Sequence, residues 1–402
     1  MTTNSEPPAF PLLRPKHDRL APPAQFADWR ASEPMTRVSI GGKVYPWVVT
    51  RYEDVRTVLG HPGFSSDQNR PGFPNGAEGG NQPPGALTAI DPPTHDVMRR
   101  ALTREFMVKR IERLRPAIER VTHRFLDQVA ERGGGDDGVD LVENFCLPLP
   151  SLVICELLGV PYDNHDFFQK ESQTLVDLRS TPEQVGAAFG ALGAYLQELI
   201  QERQRVPGDD VLTTLGERAT AGDITLDEAR DLGAFLLLAG HETSANMLGL
   251  SALALMRNPE QTAVLLESPK SAVDAVEELM RYLSIVHGGL RRLATQDVEI
   301  GGATIRKGEG VIVPLSAANH DPEMFEEPEV LDLKRQEARR HMGFGFGIHQ
   351  CLGQPLARLE LQIALPALFR RFPDLRLAVP SEELTFKETA VVYGLHRLPV
   401  TW

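Results

Sequence analysis

The sequence predicts a mostly helical α+β fold: a large helical domain with one long central helix and small, segregated β-sheets. Amphipathic helical signals fill most of 95–284 and return at 354–371, whereas strand signals gather in an early patch at 44–50 and a late block at 298–315. Strands that do not alternate with helices argue against a parallel βαβ architecture. No internal repeat occurs, and 42% hydrophobic with 24% charged residues fits a large core rather than disorder. At about 150 residues per domain the length admits two or three domains; a single domain spanning 1–402 is the expectation adopted.

The elements follow in order. Prolines at 7, 8, 11, 15, 22 and 23 mark an extended arm over 1–23. From 61 to 93 the chain is dense in Gly, Pro and Asn without an apolar period, which is long for a passive connection. It reads as a lid or binding loop, with a mobile surface insertion as the competing reading. Helices are expected at 95–131, 148–158, 163–178, 182–205, 225–257, 259–267, 271–284 and 354–371, with Gly133-Gly134-Gly135 a plain loop. The longest opens on the capping box Thr225-x-x-Glu228 and stops before Pro259. Gly301-Gly302 forms the turn between strands 298–300 and 303–305, and a further strand covers 311–315.

Composition excludes several classes. The net charge of −13 opposes general nucleic-acid binding, which draws its affinity from a basic surface. Cys146, Cys155 and Cys351 show no CxxC spacing, so a reducing, cytoplasmic location is expected. The N-terminus lacks the basic and apolar regions of a signal peptide, and the most apolar run, 234–239, is far short of a membrane span.

Chemistry concentrates around Cys351. Gly343, Gly345 and Gly347 permit tight turns, and Pro355 with Leu352, Leu356, Leu359 and Ile363 opens an amphipathic helix just after the cysteine. A cysteine at a helix N-terminus has its thiolate stabilised by orphan N–H groups and by the macrodipole, as a soft metal ligand requires. A small buried core cysteine is the alternative. A dinucleotide loop fits poorly, because no strand precedes these glycines.

In the middle of the long helix lies Ala239-Gly240-His241-Glu242-Thr243. A mid-helix Gly costs about 1 kcal/mol relative to Ala, which close approach of a flat ligand would justify. Glu242 beside Thr243 suits proton delivery. Otherwise Thr243 back-bonds to the preceding turn and Glu242 is solvated. The run Arg99-Arg100-x3-Arg104-x4-Lys109-Arg110-x2-Arg113-x-Arg115 is strongly basic within an acidic protein, either an electrostatic docking face or a solvated one.

The stretch Phe344-Gly345-x-Gly347-x-His349-x-Cys351-Leu352-Gly353 resembles the haem loop of the cytochromes P-450, whose iron takes a cysteine thiolate. The resemblance extends over nearly the whole chain and is nearest to soluble actinobacterial members. It implies that Cys351 ligates haem b, with Phe344, Gly345, Leu352, Gly353, Ala239 and Gly240 around the porphyrin. His95 and Arg99 of Asp91-Pro-Pro-x-His95-x3-Arg99, together with Arg292 and His349, would clamp the propionates; Arg291 is an alternative to Arg292. Glu242 and Thr243 become the acid–alcohol pair that supports activation of O2. Glu278-x-x-Arg281 becomes a structural pair, with Arg335 a third member. Substrate contacts inferred by position are Leu236, Ile285, Val286, His287, Val391 and Val392. Two departures are Gly343 where relatives have Ala, and His320 where they often have Arg.

The activity implied is insertion of one atom of O2 into a bulky lipophilic substrate, by hydroxylation or epoxidation, in secondary metabolism or xenobiotic oxidation. Electrons would come from NAD(P)H through a ferredoxin reductase and ferredoxin to a monomer that needs neither membrane nor nucleic acid. A haem-binding sensor would need Cys351 and the clamp but not Glu242 and Thr243. A peroxide-driven oxygenase usually lacks that pair.

Overall fold

The computed structural model describes residues 7–75, 85–133, 138–161, 164–176, 180–388 and 390–402. Residues 1–6 of the arm, 76–84 of the Gly/Pro-rich segment, Gly134-Gly135 and the ends of the 163–178 helix lie outside these. The helices are α1 (Gln25–Ser32), α2 (Tyr52–Gly60), α3 (Thr94–Thr103), α4 (Val108–Ile111), α5 (Arg115–Arg132), α6 (Pro148–Leu158) and α7 (His165–Val176). They continue with α8 (Pro182–Arg205), α9 (Val211–Ala221), α10 (Leu226–Arg257), α11 (Pro259–Leu266), α12 (Pro269–Leu283), α13 (Leu315–Asn319) and α14 (Gln354–Arg371).

At the centre runs α10, 32 residues long and so roughly 48 Å. Its capping box closes in both directions: Glu228 N–H donates to Thr225 Oγ1 at 3.1 Å, and Thr225 N–H donates to Glu228 Oε2 at 2.7 Å. Its C-terminal half is buried on nearly every side because α6, α8, α9, α12 and α14 pack around it. A helix wrapped in this way carries little amphipathic signal, so its caps rather than its periodicity reveal its ends.

Three sheets flank the helices. The largest has the order β1 (Met35–Arg37), β2 (Trp47–Val49), β8 (Gly310–Val313), β5 (Leu290–Ala294), β3 (Phe64–Ser65), with β2 and β8 parallel and the other neighbours antiparallel. A second joins β4 (Val139–Asp140), β10 (Pro399–Thr401) and β9 (Arg376–Leu377). The hairpin of β6 (Val298–Ile300) and β7 (Ala303–Ile305) turns at Gly301 and Gly302, with φ of 58° and 81°. These are the left-handed values a two-residue hairpin turn requires.

Several boundaries differ from expectation. The 95–131 helix is broken into α3, α4 and α5: Met107 adopts extended backbone with ψ 144°, and Pro116 starts a new helix just after Arg115. The 311–315 strand ends at Val313, because Pro314 cannot donate to the ladder and caps α13 instead. The 44–50 strand shortens to Trp47–Val49.

The Pro-rich arm is tied into the body. Arg14 is buried, donating to the carbonyls of Leu20 (2.7 Å), Leu283 (2.8 Å) and Ser284 (3.0 Å), and its guanidinium lies 4.2 Å from the Tyr393 ring centroid. The positive charge sits at the C-terminus of α12, where the helix dipole favours it.

Candidate active site

Between α10 and the N-terminus of α14 lies a cavity with about 1370 Å³ of atom-free space, its mouth included. One wall is the α10 face of Leu236, Ala239, Gly240 and Thr243; the opposite wall is the loop of Phe344, Gly345, His349, Cys351, Leu352 and Gly353. Arg99 closes one side, and Ile285 and Val286 another.

The loop holds its shape through backbone chemistry. Gly345 and Gly347 have φ of 72° and 74°. A Cβ on Gly347 would stand 2.5 Å from the Leu59 carbonyl oxygen, so only glycine lets the loop pass α2. Gly343 is equally constrained: a Cβ there would meet the Met280 carbonyl at 2.9 Å, which accounts for the departure from Ala. Cys351 N–H donates to the Phe344 carbonyl at 2.9 Å, which turns the sulfur into the cavity just before α14. Burial pushes the Cys351 thiol up; the Gly353 and Gln354 amides and the Arg99 and Arg358 charges pull it down.

A cluster of cationic and imidazole groups sits beside this wall. Arg99 Nη2 donates to the Gln350 carbonyl at 2.8 Å, and the His349 ring nitrogen lies 3.0 Å from the Leu87 carbonyl. The rings of His95 and His349 are 4.4 Å apart. His95 is buried, and its Nε2 has no hydrogen-bond partner. Burial, with Arg292 and His95 nearby, pushes His349 down to about 4; burial alone pushes Arg292 down to about 10. Arg291 instead donates to the Pro74 carbonyl at 3.0 Å, so Arg292 is the β5 arginine beside His349. Arg292 and His95 lie behind the cavity wall rather than on it.

Thr243 Oγ1 donates to the Ala239 carbonyl at 2.7 Å, the back-bond weighed above. Glu242 is neither in the cavity nor free in solvent: it pairs with Lys387 and accepts from Asn246 Nδ2 at 3.0 Å. One residue of helix turns it about 100° from Thr243, onto the face covered by 385–396. Gly240 lines the cavity, as close approach of a flat ligand requires, and on its other side a Cβ would lie 2.9 Å from Ile154 Cδ1 of α6.

Three expected substrate contacts do not reach the cavity. Val391 is 66% exposed, Val392 pairs with Val286 as a bridge behind the wall, and His287 is buried against the Tyr393 ring at 5.5 Å. Conversely Phe235, Met247, Leu87 and Ile154 line it unanticipated. Phe235 and Met247 stand four residues from Ala239 and Thr243, so helical spacing carried a signal for them. Leu87 belongs to the segment read as a binding loop.

The structural pair is fully buried. Arg281 Nε and Nη2 donate to Glu278 Oε2 and Oε1 at 2.7 and 2.8 Å, and further donors reach the carbonyls of Asn319, Pro328 and Val330. Arg335 Nε adds a contact to Glu278 at 3.2 Å. Asn319, whose Oδ1 accepts from Met342 N–H at 2.7 Å, links this knot to the cysteine loop.

The residues fit an iron porphyrin. Two buried groups, Arg292 and His95, lie beside His349 of the wall, the His95 Nε2 is an orphan, and both are of the donor type that carboxylates take. Among the described residues no cluster of three or more His, Cys, Asp or Glu could hold a bare metal ion. A single facing thiolate is what a porphyrin-held iron needs from protein.

Comparison with known proteins gives the same picture. The cytochrome P450 family model matches residues 23–206 and 179–394. Cytochrome P450-SU2 of Streptomyces griseolus is 49% identical over 374 residues, covering 92% of this chain and 91% of that one. Vitamin D3 dihydroxylase of the same organism is 44% identical over 404 residues, 99% of this chain and 98% of its own. The crystal structure of GfsF superposes with a TM-score of 0.92 at 42% identity, covering 98% of this chain and all of that one.

Proposed function

The chain belongs to the cytochrome P450 family of haem-thiolate monooxygenases, and we propose that Cys351 is its axial ligand, Arg99, Arg292, His95 and His349 its propionate clamp, and a bulky lipophilic molecule its substrate. The observation that carries this is the sulfur of Cys351 facing Thr243 across one cavity, with the basic cluster at its side. When bound, haem supplies the iron at which O2 is activated so that one oxygen atom can enter a C–H bond or an alkene.

The chain's own groups do the rest. The Gly353 and Gln354 amides point at the Cys351 sulfur and favour its ionised form. Phe344 and Leu352 line the cavity beside it with apolar surface. Thr243, its proton committed to the Ala239 carbonyl, presents lone pairs to the cavity and accepts a hydrogen bond from a protonated group there. Glu242 stands outside the wall as a carboxylate acceptor, held by Lys387 and Asn246, one residue from Thr243 on the same helix. The substrate lies among Leu236, Phe235, Ile285, Val286 and Leu87, an apolar lining that suits a lipophilic skeleton of the kind named in the vitamin D3 relative.

Electrons come from NAD(P)H through a reductase and an acidic ferredoxin. Arg100, Arg104, Lys109 and Arg113 are exposed around the protruding Met107 and Val108, an apolar centre with a basic rim. Among the described residues no helix is long and apolar enough to cross a membrane.

The deciding experiment is a difference spectrum of the purified, reduced, carbon monoxide-treated protein. The parent shows the red-shifted Soret band of thiolate ligation, and Cys351→Ser abolishes it. A parent spectrum of imidazole-ligated type, or a Ser variant that retains the band, refutes the assignment. Thr243→Ala separates oxygenase from sensor: it leaves O2 consumption running while product per O2 falls.

A further inference from the structure

One carboxylate grips both ends of the cysteine loop. Glu277, neighbour of the Glu278 in the fully buried pair, is itself buried on α12. Its Oε1 accepts from Arg358 Nε at 2.6 Å, its Oε2 accepts from Arg358 Nη2 at 3.0 Å, and the same Oε2 lies 3.2 Å from His341 Nε2. His341 opens the loop, and Arg358 lies on α14 seven residues past the sulfur.

Both partners converge on a single ring. The Arg358 guanidinium carbon is 4.5 Å from the Phe344 centroid, and the His341 ring is 5.6 Å from it. Phe344 lines the cavity, and its carbonyl takes the Cys351 N–H. The chain of contact therefore runs from Glu277 through Arg358 and His341 to Phe344, and from Phe344 to the sulfur's own residue. Arg358 also brings a positive charge onto this loop, 4.5 Å from the ring of the residue whose carbonyl takes the Cys351 N–H, while Glu277 stands against that charge in a two-pronged pair. The Arg358 and His341 bonds hold the Glu277 carboxyl down at about 2 despite burial, so the pair stays charged at working pH.

We propose that Glu277 is a positioning residue for the thiolate: it fixes Arg358 and His341 on Phe344 and offsets the Arg358 charge, thereby setting how strongly the Cys351 sulfur donates to the metal. The inference rests on Cys351 being the iron ligand.

Its test is the ferric/ferrous midpoint potential of the haem-loaded protein, measured by spectroelectrochemical titration. Glu277→Gln keeps the shape but leaves Arg358 uncompensated, which disfavours the more positive ferric centre. The ferrous form gains about tenfold, an upward shift of ~59 mV for one electron. Arg358→Gln removes the cation and leaves the carboxylate, so the potential moves the opposite way. Glu277→Asp keeps the charge and stays within about twofold of the parent.

Shifts of the same sign in the two Gln variants, or shifts under twofold beside lowered melting temperatures, make Glu277 a clamp only and overturn the proposal. If Glu277→Gln loses haem, the direction of Arg358→Gln together with the Asp variant decides. A parent lacking the thiolate Soret band overturns this inference and the ligand assignment together; a parent that has it, with unmoved potentials, overturns this one alone.

Discussion

Replacing Arg281 by Met removes the cation of a pair in which both side chains have zero exposure. The carboxylate of Glu278 is then left buried with the Asp332 N–H and Arg335, at 3.1 and 3.2 Å, as its remaining donors. Breaking a buried pair from one side costs about 3–5 kcal/mol. The carbonyls of Asn319 and Pro328 also lose their Arg281 donor, at roughly 1 kcal/mol or more where they stay dry, while Val330 keeps a bond from Arg335 at 3.1 Å. The contact of Arg335 with Glu278 offsets part of this, so the expected total is about 4 kcal/mol. With an unfolding entropy of ~2.1 cal/mol/K per residue, a chain this long should lose on the order of 5 °C in Tm. The assay is thermal unfolding of the haem-free and haem-loaded protein, completed as a cycle with Glu278→Gln. The double variant should be less destabilised than the sum of the two, because it leaves no unpaired charge. A loss under ~1 kcal/mol for Arg281→Met, or strict additivity in the cycle, refutes the view that this pair anchors the fold.

Three further outcomes follow from the geometry. Gly347→Ala forces a Cβ to 2.5 Å from a backbone carbonyl at a φ of 74°, so it should cost about 2–4 kcal/mol and impair haem retention, measured by Soret absorbance per protein. Glu360 is buried beside the Ser244 hydroxyl, and burial pushes its carboxyl up to about 8. The folded state therefore holds a proton that the unfolded chain releases near 4.3, and stability falls as pH rises between these values by ~1.4 kcal/mol per unit. Glu360→Gln should flatten that slope in urea titrations at pH 5 and 8; an unchanged slope contradicts it. Arg292→Gln should speed haem transfer to apomyoglobin at least tenfold while Arg291→Gln changes it less than twofold, and equal effects would undo the choice between them.

Legibility in the sequence followed the locality of the signal. The span of α10 was readable because its capping box and Pro259 act within one turn of its ends. The break in 95–131 was not, since Met107 takes extended backbone with its side chain in solvent, and no Gly or Pro stands at that position to announce it. Short β5 escaped notice because its residues gain meaning only beside β3 and β8, which lie far away in the chain. At the site, Cys351, Arg99 and Thr243 could be placed because a motif fixes their spacing to the cavity wall. The pairing of Glu242 with Lys387 was not legible, because that partner lies 145 residues later and no motif links the two. Val391 and His287 failed for a related reason: they lie near the cavity along the chain, but strand pairing decides which neighbour faces inward.

The stitch made by Arg14 ties three distant stretches to one edge of the pocket. Ile285 and Val286 finish one cavity wall, the Tyr393 N–H bonds to the Ile285 carbonyl at 2.7 Å, and Arg14 lies over the Tyr393 ring while donating to the carbonyls of Leu283 and Ser284 just before that wall. Loosening any one of the three therefore slackens the other two, and a substitution at position 14 acts on a cavity that its side chain never touches.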